Sequence, residues 1–240
     1  MYGFLAGSEV KEKGALNAGL LDQNLALQWV QQHSHAENLE AIPQKSPSGA
    51  KAARGGRNNP QLFQNAITSS TVLTSQYPAD GFIPQQLYND VVNMTGCLTA
   101  SDSFACLVAA DARTLADIGE IIDINLFYTT LAFVPVIDGH FIVERPTLTL
   151  ERGIVNGKSL LSVTNAFEGR FFTPAAVANI TEYIQSLFPF MTDAQIKQLL
   201  SEENPPLYAQ HTIFFAPSPE DHGRVNLLFH LVSYLAIIPE

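Results

Sequence analysis

Two cysteines, one tryptophan and three methionines are all that this chain of 240 residues has of those types, and basic side chains are scarce too, 13 against 23 acidic ones. The deficit of Lys and Arg leaves a formal net charge of −10, which argues against nucleic acid or an anionic membrane as the main partner. Long apolar runs are missing as well. The longest late one, "LLFHLVSYLAII", is too short to span a bilayer and contains His230, so it reads as a buried strand or helix. The opening "MYGFLAGSEVKEKG" has neither the basic start nor the apolar stretch of a secretory signal. No His or further Cys stands near Cys97 and Cys106 to complete a zinc set, so neither a metal nor another cofactor is expected.

What is present describes a globular chain, with 46% hydrophobic and 15% charged residues, enough for one large domain with its own core. Cys97 and Cys106, close together in "GCLTASDSFAC", are either a short-loop disulfide or two inert core thiols. Two sequons, Asn93-Met94-Thr95 and Asn179-Ile180-Thr181, lean toward glycosylation and an oxidising, secretory history. That lean conflicts with the opening residues, and an N-terminus lost from the gene model would reconcile them.

Periodicity organises the chain. "YGFLAG" is apolar enough for a buried strand. Residues 15–33 have a helical stripe of Leu16, Leu20 and Leu27, widened by Leu21, Leu25 and Trp29. Residues 62–74 begin with helix-like polarity and end β-branched, and 83–119 read as helices in pieces, broken around the cysteine loop. "TLAFVPVID", 130–138, and "SLLSVT", 159–164, are continuous apolar runs of the kind found in sheets covered on both faces. From 176 to 200 the pattern is helical again, with Thr192 and Gln195 as a capping box. Alternating apolar strands and helices predict an α/β layer protein with a mostly parallel sheet. Beyond residue 204 the pattern loosens, so 1–204 reads as one domain and 205–240 as a degenerate C-terminal segment.

Several stretches, in order, resemble the fungal type-B carboxylesterases and lipases, the cholinesterase-like branch of the α/β-hydrolases. They are "YGFLAG", "LNAGLLDQNLALQWVQ", "PQLFQNAITSS", "FVPVIDGHFI" and "VNGKSLLSVTNAFEG". The helix signature of Asn17, Gly19, Leu20, Asp22, Gln23, Ala26, Leu27 and Trp29 is the most specific, with "VTNAFEG" beside it. The resemblance implies an α/β-hydrolase fold, a small-molecule or lipid ester as substrate, a secreted location, and a Ser-Glu-His triad in that chain order. Glu168 then matches the acid that orients the His, emerging after an apolar strand where such sheets build their sites. His222, in "EDHGRVN", is the best match to the catalytic base, against the blander reading of a solvated loop His. The resemblance also makes a disulfide of Cys97 and Cys106, and it assigns Asp138 and Gly139 to a structural turn at a strand end. His33, His35, His140, His211 and His230 have weaker claims to the base.

The nucleophile does not follow. Family members continue after "WVQ" into "FGGDP" and "VTIWGESAGAGS", whereas this chain has "AENLEAIPQKSPSGAKAARGG", residues 36–56. Ser46 and Ser48 flank Pro47, whose fixed φ and missing N–H do not suit a nucleophile elbow. Residues 38–55 can, however, be encoded by codons that, read from the last nucleotide of the Asn38 codon, give Phe-Gly-Gly-Asp-Pro-Pro-Lys-Val-Thr-Ile-Trp-Gly-Glu-Ser-Gly-Ala-Gly. The expectation is therefore an aberrant, disordered insert at 38–57, translated out of frame, in place of the elbow strand. Met1 falls within what would be a strand of the central sheet, so the partial fold is also expected to lack N-terminal strands and the oxyanion loop. A chain so interrupted is expected to fold poorly, because strands beside the missing one expose their edges.

Three functions compete. The first is a serine carboxylic ester hydrolase by descent, inactive as written. The second is a non-catalytic cholinesterase-like binding or adhesion module, or a pseudogene product. The third treats Lys45, Lys51, Arg54 and Arg57 as a basic loop recruiting a partner, although such a run is usually a solvated segment.

Overall fold

The computed structural model describes residues 1–33, 62–70, 74–126, 131–154, 156–163 and 179–201. Among these residues the sheet is a parallel pair, β1 (Asn65–Ser69) and β2 (Ser159–Val163), in register from Asn65 opposite Ser159 to Ser69 opposite Val163. Side chains alternate across β1: Ala66 and Thr68 are buried, while Asn65, Ile67 and Ser69 face outward. The turn into β2 is set by Gly157, at φ +86°, where a Cβ would meet the Phe63 ring. The amides of Lys158 and Ser159 both donate to the Gln64 carbonyl, which locks that turn onto the lead-in to β1.

The helices bear out the reading of broken pieces. α1 is Ser8–Lys13 and α2 is Ala18–His33. The cysteine region carries α3 (Phe82–Met94), a single 3-10 turn at Cys97–Thr99, α4 (Ser103–Ala109) and α5 (Ala112–Asn125). α6 is Pro146–Glu151, with Pro at its start, where a missing N–H costs nothing. α7 (Ile180–Leu187) and α8 (Asp193–Ser201) follow β2. The elements from α1 to β2 belong to one compact unit, and α7 and α8 to a second, to which Asn125 at the end of α5 is also assigned.

In the first unit Leu20 packs with Phe141 and Ile142, flanked by Phe4 and Ile137, and Ala6 packs with Ala79 and Val136 beside Leu16. In the second, Ile184 and Ile196 form the seam of a helical hairpin with Ile180, Phe188, Met191, Leu199 and Leu200. The capping box is present: the Thr192 amide donates to Gln195 Oε1 at 2.8 Å, and the Gln195 amide to Thr192 Oγ1 at 3.3 Å.

Three expectations need correction. "YGFLAG" is a turn, not a strand: Gly3 takes φ +83°, and the amides of Phe4 and Leu5 both donate back to the Met1 carbonyl. Residues 131–138 are irregular. Pro135 removes a backbone donor, and Ile137 forms only a single parallel bridge with Pro78. The helical stripe is narrower than its apolar composition. Leu20 and Leu27 are buried, but Leu25 and Trp29 are 63% and 52% exposed, and Leu21 is at the surface as well.

Candidate active site

In parallel α/β sheets, chemistry gathers at the C-terminal ends of the strands, because the connections there are free to vary. Here those ends are tied together. The Ser70 amide, one residue past β1, donates to the carbonyl of Val163, the last residue of β2, at 2.8 Å. Ser70 sits at φ +55°, an uncommon conformation for a residue with a Cβ, and so turns the chain sharply off the strand. Nothing in the composition of "NAITSS" signalled that turn. Glu168 stands five residues beyond Val163.

A second built feature joins the start of α2 to residues 136–142. Asn17 is buried, at φ +54°, directly before α2, and its carbonyl accepts from the amides of Leu20 and Leu21. Its carboxamide works as a substitute strand: Nδ2 donates to the Val136 carbonyl and Oδ1 accepts from the Val136 amide, both at 2.8 Å. The same Nδ2 donates to Asp138 Oδ2 at 2.6 Å. Asp138 Oδ1 accepts three successive amides, from His140, Phe141 and Ile142, around Gly139 at φ +77°. Asp138 and Gly139 are thus a structural turn, as expected, and only the tie to Asn17 went unread.

Glu168, His222, Ser46, Ser48 and all of 38–57 lie outside the described residues, as do His35, His211 and His230. Of the remaining histidines, His33 stacks on Trp29 with ring centroids 4.5 Å apart, and its Nδ1 lies 2.8 Å from the Trp29 carbonyl. His140 is exposed beside Gly139, on the Asp138 turn. Neither position brings an imidazole to β1 or β2 through any contact of its own.

Cys97 and Cys106 form a disulfide, which encloses the 3-10 turn and the start of α4. The loop is held from both sides. Ser103 Oγ lies 2.8 Å from the buried Tyr88 hydroxyl, and Lys13 Nζ donates to Asp102 Oδ2 at 3.0 Å. The Ala105 amide, and after it Lys13, hold the Asp102 carboxyl below the usual carboxylate range. Lys11 does the same for Asp80, while burial pushes the Tyr88 phenol up. None of these groups belongs to β1 or β2. Asn93 is exposed on the last turn of α3, whereas exposed Asn179 caps α7, its Oδ1 accepting the amides of Thr181 and Glu182.

The sequence model of the carboxylesterase family matches residues 53–225. The chain belongs to the carboxylesterase family. Among curated relatives, the secreted triacylglycerol lipase LIP1 of Gibberella zeae is 26% identical over 95% of this chain and 41% of its own length. Lipase 5 of Diutina rugosa is 30% identical, again over 95% of this chain, and over 44% of its own length. The crystal structure of Aspergillus niger EstA covers 96% of this chain with a TM-score of 0.70 at 23% identity, and 46% of that protein is matched. That likeness shows the fold: this member of the carboxylesterase family has an esterase-type α/β-hydrolase architecture. It spans less than half the length of the curated relatives it matches. Among the described residues, no helix is long and apolar enough to cross a membrane.

Proposed function

We propose that this carboxylesterase-family chain descends from a secreted serine hydrolase of carboxylic esters, small-molecule or lipid, and that the chain as written does not catalyse the reaction. In the working enzyme a serine attacks the ester carbonyl, a histidine accepts its proton and returns one to the leaving alcohol, and a glutamate holds the histidine in the required tautomer. Glu168 is that glutamate and His222 that histidine. The nucleophile is lacking, since no Gly-x-Ser-x-Gly turn occurs anywhere in the 240 residues. The observation that carries the reading is the family match over residues 53–225, within which "VTNAFEG" leads from β2 to Glu168.

The missing serine is encoded one nucleotide out of step, within residues 38–55. The family match begins at residue 53, so it leaves out residues 1–52, most of that stretch among them. On this reading residues 1–204 are a partial hydrolase domain with a foreign insert, and 205–240, of which the family match takes in 205–225, a degenerate C-terminal segment. Secretion is supported by the printed name of the Gibberella lipase and by the Cys97–Cys106 disulfide, with Asn93 and Asn179 as glycan acceptors.

A pre-steady-state assay tests the inactivity. The purified chain mixed with a p-nitrophenyl ester should release no burst of p-nitrophenol. A burst that a serine-directed organophosphate abolishes would overturn the proposal. Sequencing the gene and transcript across residues 30–60 tests the frame, and codons that give no elbow in either neighbouring frame would sink that part alone.

A further inference from the structure

The chain contains a single Asn-Gly dipeptide, Asn156-Gly157. In an unfolded chain this pair is chemically labile. With no side chain on the glycine, its backbone nitrogen, once deprotonated, reaches the asparagine Cγ. A new N–C bond forms, ammonia leaves, and water opens the resulting succinimide to aspartate or isoaspartate. No oxidant, enzyme or co-reactant other than water is needed.

The fold opposes the ring closure that starts this sequence. Asn156 is 3% exposed, and it is engaged by a neighbouring group. Gly157 is held at φ +86°, with the Phe63 ring and the Gln64 carbonyl about where its Cβ would be, at 3.0 and 3.1 Å. The two following amides, Lys158 and Ser159, both donate to Gln64. The backbone nitrogen therefore cannot swing onto its neighbour's side chain while β1 and β2 remain paired.

We propose that Asn156 is a latent deamidation site, protected by the β1–β2 pair and exposed when that pair opens. The modification is one-way. It leaves a carboxylate, or an extra backbone methylene, at a position that excludes water, so the pair cannot close again as before. Each opening thus carries a chance of permanent loss of the sheet.

Trypsin releases "GIVNGK", residues 153–158, which makes the site directly readable by mass spectrometry. The chain is incubated at mildly alkaline pH with and without denaturing guanidinium chloride, and amide-to-acid conversion and isoaspartate are followed in that peptide. Conversion in the native sample should be slower by about tenfold or more, the ratio reporting the fraction of open molecules. Gly157→Ala should suppress conversion in the denatured sample. Asn156→Asp should lower the urea midpoint of the folded chain. Equal rates in the two samples, no conversion in guanidinium chloride, or an unchanged midpoint for Asn156→Asp would overturn the proposal.

Discussion

Asn17 Nδ2 lies 2.6 Å from Asp138 Oδ2, a contact between residues 121 apart in the chain. It couples the entry of α2 to the turn that follows Val136. Because the same carboxamide satisfies both backbone groups of Val136, its loss leaves a buried donor and a buried acceptor without partners. Asn17→Ala should cost about 2–4 kcal/mol in urea unfolding, more than an ordinary hydrogen-bond deletion. Asn17→Asp should fare no better at neutral pH, since it sets a second carboxylate against Asp138. An unchanged midpoint in the alanine variant would show that the tie does not stabilise the fold.

The disulfide closes a short loop, with its cysteines nine positions apart. Chain-entropy reasoning puts its stabilisation at about 2–3 kcal/mol. Asp102 caps α4, and Ser103 reaches Tyr88, independently of the sulfur atoms. Cys97→Ser with Cys106→Ser should therefore lower the unfolding midpoint while far-ultraviolet circular dichroism stays that of the parent. Loss of helical signal in the double variant would mean that the bond is needed to form α4.

The two sequon asparagines should separate on substitution. Asn179→Gln removes an N-cap and should cost about 0.5–2 kcal/mol, whereas Asn179→Asp keeps the acceptor and adds a favourable charge at a helix N-terminus. Asn93→Gln changes an exposed side chain near the end of α3 and should be close to neutral. Thermal melts of the three unglycosylated variants check this, and equal losses at the two positions would contradict the capping role.

The acid limb of stability carries the Asp102 signature. Its carboxyl is lowered in the folded state by the Ala105 amide and then by Lys13, so the folded state binds the proton less readily than the unfolded one. Such a group stabilises above its unfolded value of 3.8, and that contribution is lost as the pH falls through the lower, folded one. Asp102→Asn keeps a capping side chain but drops the charge. The parent should exceed the variant in urea midpoint at pH 6, and the two should converge as the pH falls below 3.8. A gap that persists in acid would assign the difference to something other than this carboxylate.

How far the sequence could be read depended on the range of the interactions involved. The broken helices around the cysteines, the Thr192–Gln195 box and the strand at 159–163 were legible, because each is decided within a few residues by caps, β-branching and period. "TLAFVPVID" misled for the converse reason. Its composition is that of a covered strand, but Val136 takes its hydrogen bonds from Asn17, and no local pattern announces a distant carboxamide. The apolar Leu25 and Trp29 misled in the same way, since whether a helix face is covered depends on what packs against it. Ser70 gave no sign of its left-handed backbone, which is set by the bond to Val163.

The family resemblance, the expected fold class and the lack of a Gly-x-Ser-x-Gly motif in these 240 residues are read from residue order alone: a motif is either written in the chain or it is not. Tertiary structure decided which apolar runs became strands, which way the chain leaves β1, and how Asn17, Val136 and Asp138 come to share one set of hydrogen bonds. Those outcomes rest on contacts between residues more than a hundred positions apart in the case of Asn17, and no local propensity encodes them.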